Sequence, residues 1–130
     1  MQTTLKDFVE FIQTTWGILA SITAFFPLFG SLIPIMPAPE GKRLQTSTMA
    51  TICSGFVLYL VFLTIRVEDP VLAAIPSLIL VFFAIFCFIK AMEAADYYED
   101  ARTMLFSILT FMSLTGAFSI LAALDFWRGR

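Results

Sequence analysis

Glu93, Asp96 and Asp100 stand three and four positions apart, with Glu99 beside them, a spacing that places carboxylates on one face of a continuous helix. Oxygen ligands so gathered are the usual means of holding a hard cation such as calcium or magnesium. A solvated acidic helix end, balanced in part by Lys90 and Arg102, accounts for the same run more simply, so no metal site is assigned. The chain contains no histidine, which removes the commonest zinc and haem ligand and the commonest general base. Cys53 and Cys87 lie inside apolar runs and read as small hydrophobes rather than a redox pair or a disulfide. Neither GxSxG, a phosphate-binding P-loop nor GxGxxG occurs, so the expectation is a non-enzymatic chain without a cofactor.

Hydroxyl and small side chains form a second set. Gly17 and Ser21, then Ser47, Thr51 and Gly55, then Thr115, Ser119 and Ala123 recur at four-residue spacing, with Gly116 adjoining the last group. Such stripes let helix backbones approach closely where no hydrophobic drive exists, within one subunit or between subunits. Ser113, Thr115 and Ser119, facing Thr51 and Ser54, could alternatively line a narrow wet path with phenylalanines as a dewetting gate.

The elements carrying these residues are four apolar runs, Trp16–Met36, Thr46–Ile65, Val71–Phe88 and Met104–Leu124, none of which contains an ionisable Asp, Glu, Lys, Arg or His. Hydrophobic residues make up 59% of the 130 and charged residues 14%, against about 45–50% and about 25% in soluble domains. A soluble bundle would lack the polar residues to wrap such segments. The expected fold is therefore all-α, an integral membrane bundle of four transmembrane helices. It forms one domain over 1–130, with spans near 8–36, 46–66, 70–92 and 103–127.

Within that frame the first span carries Pro27, Gly30 and Pro34, expected to kink it and to act as a hinge or packing wedge. Phe8, Phe11 and Ile12 repeat at helical spacing ahead of Trp16, and read as the first turns of that span rather than a separate interfacial helix. Trp16 is expected to anchor at the interface. Spans two and three are separated by only Val67–Pro70, which requires an antiparallel hairpin, with Asp69 as N-cap and Pro70 in the first helical position. Helices three and four should run past the hydrocarbon and turn near Tyr98–Ala101, so that Glu93, Asp96, Tyr97, Tyr98, Asp100 and Arg102 form an elbow facing a partner.

Net charge is −2 with scattered basic residues, which leaves no footprint for nucleic acid. The expected partners are membrane lipids, further copies of the same chain and a second protein subunit. Lys and Arg divide evenly between the two sides, so the positive-inside rule does not orient the chain. The basic tail at Arg128 and Arg130 favours cytoplasmic termini, in the cell inner membrane. Small four-helix multidrug exporters share the length and helix count, but their mechanism requires a buried carboxylate that these spans lack. In layout alone the chain is similar to small multi-spanning proteins that oligomerise, among them membrane-disrupting effectors and sensors of bacterial antiphage systems. The leading expectation is a self-associating protein that works by helix packing and partner contact. A pore-forming or permeabilising oligomer and an accessory subunit of a larger membrane complex are the alternatives.

Overall fold

The computed structural model describes residues 2–30 and 41–128. They form five helices, α1 (Gln2–Ile12), α2 (Thr15–Gly30), α3 (Arg43–Thr64), α4 (Pro70–Asp96) and α5 (Asp100–Arg128), with no strand among the described residues. At about 1.5 Å per residue, α3, α4 and α5 extend roughly 33, 40 and 43 Å, against a hydrocarbon core of about 30 Å. Among the described residues these three are long and apolar enough to cross a membrane, or up to four if the bent pair α1–α2 is taken as one span.

The distribution of side chains is the reverse of a water-soluble interior. Phe82, Leu72, Phe56 and Phe29 are more than 60% exposed, whereas Ser47, Ser54, Thr115 and Ser119 are wholly buried together with Ala20, Ala50, Ala73 and Ala123. Small and hydroxylated residues inside, bulky apolar residues outside, is the arrangement that hydrocarbon solvent selects, because only close backbone approach and hydrogen bonds distinguish protein from lipid there.

α5 is the central element, and α1, α2, α3 and α4 all pack against it. On one side Phe11, Leu58, Phe62, Ala122, Ala123 and Phe126 form a cluster among α1, α3 and α5. On the other, among the described residues, the α4 backbone approaches that of α5 alone. Buried residues of α4 fall at 73, 77, 84, 87, 91 and 94, steps of four, seven, three, four and three. This is the 3.5-residue seam of an antiparallel coiled coil, built here from alanine, serine and cysteine. Ser77 Oγ crosses it, donating to the Ala117 carbonyl at 3.2 Å as well as to its own Ala73 carbonyl at 2.8 Å.

Spans two and three are connected as expected at Asp69, whose carboxylate accepts from the Val71 N–H at 3.0 Å with Pro70 opening α4. They are not, however, a packed hairpin: α5 lies between α3 and α4. Ile65 and Asp69 bound the connection in extended conformations. Five such residues reach about 16 Å, enough to step over a helix.

The first span also departs from a simple kinked rod. α1 and α2 meet at 91° across Gln13 and Thr14, so Phe8, Phe11 and Ile12 belong to a separate helix laid across the bundle end rather than to the start of α2. Phe8 and Phe11 contact Phe62 at 5.2 and 5.3 Å, and Phe11 meets Phe126 at 5.9 Å. Trp16 is half-buried and stacks on Phe118 at 5.9 Å.

Candidate functional site

The stripes singled out by spacing are used within the chain to different degrees. Ser47 and Ser54 on α3, and Thr115, Gly116, Ser119 and Ala123 on α5, are buried in the bundle. Ser21, Thr51 and Gly55 remain partly open. Several buried hydroxyls bond the carbonyl one turn back, as Ser119 does to Thr115 at 2.6 Å and Thr110 to Phe106 at 2.7 Å. The hydroxyls of Ser47, Thr51, Ser54 and Thr115 are shut off from solvent and have no hydrogen-bond partner among the described residues. Three of the five residues expected to line a wet path, Thr51, Ser54 and Thr115, are in that group. Ser113 is buried and Ser119 is bonded to its own helix.

Gly17 has a different role from the one its spacing indicated. Thr14 Oγ donates to the Phe11 carbonyl at 2.8 Å and accepts from the Gly17 N–H at 3.0 Å, closing α1 and capping α2 with a single hydroxyl. A methyl group on Gly17 would strike the Phe11 carbonyl oxygen and lie 2.8 Å from Ile12 Cα. A sharp change of direction is thus made at Thr14–Gly17. α2 runs on through Pro27, fully buried, to Gly30. Pro34 lies outside the described residues.

At the other end of the bundle the elbow turns earlier than expected, at Tyr97–Glu99. The Glu99 N–H donates to the Ala94 carbonyl at 2.9 Å and the Tyr98 N–H to Ala95 at 3.2 Å, with Tyr98 at φ 58°. This is a Schellman cap with tyrosine at the left-handed position that usually holds glycine. The break separates Asp96, the last residue of α4, from Asp100, the first of α5, so the three-carboxylate face does not exist. Among the described residues no group of three or more His, Cys, Asp or Glu is placed to hold a metal ion. Lys90 pairs with Glu93 at 3.7 Å and Arg102 with Glu99 at 2.8 Å. These two pairs, with Tyr97 and Ala94, bound an open cleft of about 300 Å³. Asp96, Tyr97, Tyr98 and Asp100 are all exposed.

What spacing had not flagged is the outer side of α4. Ile75, Ile79, Phe82, Phe86 and Ile89 are all more than half exposed. They belong to a broad apolar outer surface rather than to one stripe, since Leu72, Leu78, Ile85 and Met92 are also more than half exposed. The signal was present in the sequence as Ala, Ser and Cys alternating with Ile and Phe at heptad intervals, but continuous apolarity masks periodicity in a greasy run.

Comparison with known proteins returned no match to a protein family, to a curated protein or to a solved structure.

Proposed function

We propose that this chain is a non-enzymatic membrane protein that self-associates and acts through helix packing. The observation that carries the reading is the one-sided packing of α4. A helix of 27 residues packs, among the described residues, through one small-residue flank and leaves a broad apolar surface free, and its apolar segment is 22% buried against 44% for α5. A second copy, offering the same bulky surface in antiparallel or parallel register, supplies a partner for the free face. The elbow, with its exposed tyrosines and acidic surplus, then offers a contact for a second protein outside the hydrocarbon. Cytoplasmic termini in the inner membrane remain part of this reading, and thiol labelling at Arg130 from outside intact cells would reverse it.

The test is the mass of the protein in lipid nanodiscs or native-like vesicles, in wild type and in a Phe82→Ala/Phe86→Ala variant. Self-association predicts a multimer that falls towards monomer in the variant without loss of helicity. A wild-type protein that stays monomeric at high protein-to-lipid ratio would refute it, and a stoichiometric unrelated chain copurifying in place of a second copy would move the function to an accessory subunit.

One observation favours a permeabilising oligomer as the second reading. Buried hydroxyls lacking partners at Ser54 and Thr115 are groups that water in a conducting state would satisfy. Planar-bilayer conductance that disappears in Ser54→Ala/Thr115→Val supports it; a silent wild-type protein rejects it.

A further inference from the structure

The charged residues of the elbow cleft are ordered, and the order is the same on both helices. From the apolar runs outward, α4 presents Phe86, Lys90 and Glu93, while α5, which runs the opposite way, presents Phe106, Arg102 and Glu99. Each cation leans back over the ring one turn nearer the apolar run. Lys90 Nζ lies 5.7 Å from the Phe86 ring centre, and Arg102 Cζ lies 5.8 Å from that of Phe106. Each carboxylate stands three residues farther out along its helix, a rise of about 4.5 Å. The layers from inside to outside are therefore aromatic, positive and negative on both walls.

These four charges converge on the cleft of about 300 Å³ that Ala94 and Tyr97 complete. Their signs cancel, so the cleft suits neither a simple anion nor a simple cation and complements a molecule that carries both charges. Nor do the groups exhaust one another. The Lys90–Glu93 contact of 3.7 Å is longer than a hydrogen bond, and Arg102 reaches Glu99 through a single nitrogen at 2.8 Å. All four side chains are between 36% and 58% exposed. Ile89 and Leu105, within one turn of the cations, carry the apolar outer surface up to their level.

A phospholipid has the same profile: acyl chains, then a phosphate, then an ammonium group a short two-carbon arm farther out. We propose that the elbow cleft binds the headgroup of phosphatidylethanolamine, its phosphate against Lys90 and Arg102, its ammonium against Glu93 and Glu99, and its chains along Phe86 and Phe106. Long basic side chains at the end of an apolar helix snorkel to the depth of the phosphates and bind them by charge-assisted hydrogen bonds. A primary ammonium has three N–H groups to donate to carboxylates and a quaternary one has none, which selects ethanolamine over choline. Asp96, Tyr98 and Asp100 are not among the walls of the cleft, so lipid there leaves them to a protein contact. The site rests on the reading of the chain as a membrane protein and not on self-association.

The experiment titrates the purified, delipidated full chain in detergent with phosphatidylethanolamine, phosphatidylcholine and phosphatidylglycerol of identical acyl chains, and counts bound lipid by native mass spectrometry. Phosphatidylethanolamine is expected to bind about tenfold more tightly than either of the others, with its N-monomethyl derivative in between. Lys90→Gln/Arg102→Gln should weaken binding of all three. Glu93→Gln/Glu99→Gln should lose the preference for ethanolamine and gain affinity for phosphatidylglycerol, an increase that a misfolded variant cannot produce. Equal binding of the three lipids by wild type, or ethanolamine selectivity that survives Glu93→Gln/Glu99→Gln, would overturn the proposal. Displacement of the lipid by soluble glycerophosphoethanolamine at equal concentration would also overturn it, by making the occupant a solute from water. Flotation of wild type with vesicles of the same three lipids separates the two levels of the argument. A protein that floats without discriminating defeats the site alone, whereas one that does not float defeats the membrane reading beneath it.

Discussion

A single threonine turns the chain through a right angle. Thr14 serves two helices at once, and the backbone of α2 reaches Phe11 only because residue 17 has no side chain. Losing an N-cap hydroxyl costs about 0.5–2 kcal/mol. Thr14→Ala should therefore lower stability by about 1 kcal/mol in a denaturant titration in mild detergent, and Gly17→Ala should lower it further, since the carbonyl it meets is backbone and cannot swing aside. Gly116 offers the contrast: a Cβ there comes within 3.3 Å of the Leu80 side-chain terminus, which can yield. Gly116→Ala should be far milder than Gly17→Ala. Tyr98 points the other way. A left-handed conformation costs a residue with a Cβ about 1–2 kcal/mol, and its ring is 89% exposed. Tyr98→Gly should thus raise the unfolding midpoint; an unchanged or lowered midpoint would show that the ring itself holds the elbow. None of these roles followed from type alone. Gly17 read as one more member of a small-residue stripe, and its real partner, Thr14, lay outside that stripe.

Between helices, the α4–α5 seam decides how close two rods can stand. With Ala84, Cys87 and Ala91 facing α5, a bulky replacement has nowhere to go, and overpacking costs about 1–3 kcal/mol. Ala84→Leu should loosen the hairpin and lower the unfolding midpoint, whereas Phe83→Leu on the exposed side should leave monomer stability within about 0.5 kcal/mol. The exposed ion pairs of the elbow belong with the second kind. Glu93→Gln should be nearly silent in stability, because surface pairs contribute about 0–1 kcal/mol. Element existence was readable from the sequence because runs of about 20 uncharged apolar residues admit little else. The Asp69–Pro70 boundary was readable because a cap and a proline state their positions chemically. Which helix lies beside which was not readable. A five-residue connection favours neighbours, yet the extended segment from Ile65 to Asp69 passes over α5, and that choice is made by small residues on two faces of α5 at once.

At the scale of the whole molecule, bulky apolar side chains outside and small hydroxylated ones inside agree with three helices long and apolar enough to cross a membrane, and that sorting was predictable from composition. The candidate sites were less so. Of the hydroxyls singled out by spacing, Ser47, Thr51, Ser54 and Thr115 lack partners among the described residues while Ser21 and Ser119 bond their own helices, and the apolar groove beside Thr51, walled by Phe8 and Ile12, depends on α1 lying across the bundle. That placement follows from three-dimensional packing of Phe8 and Phe11 on Phe62, which no local pattern announces.

The hub position of α5 also has a temporal side. Ribosomes release this helix after the other four described here, so α4 emerges with its alanine seam uncovered before the helix that packs on it arrives. A polypeptide halted after Tyr97 would then be a substrate for membrane proteolysis rather than a smaller version of the fold, and supplying residues 99–130 as a separate fragment should rescue it.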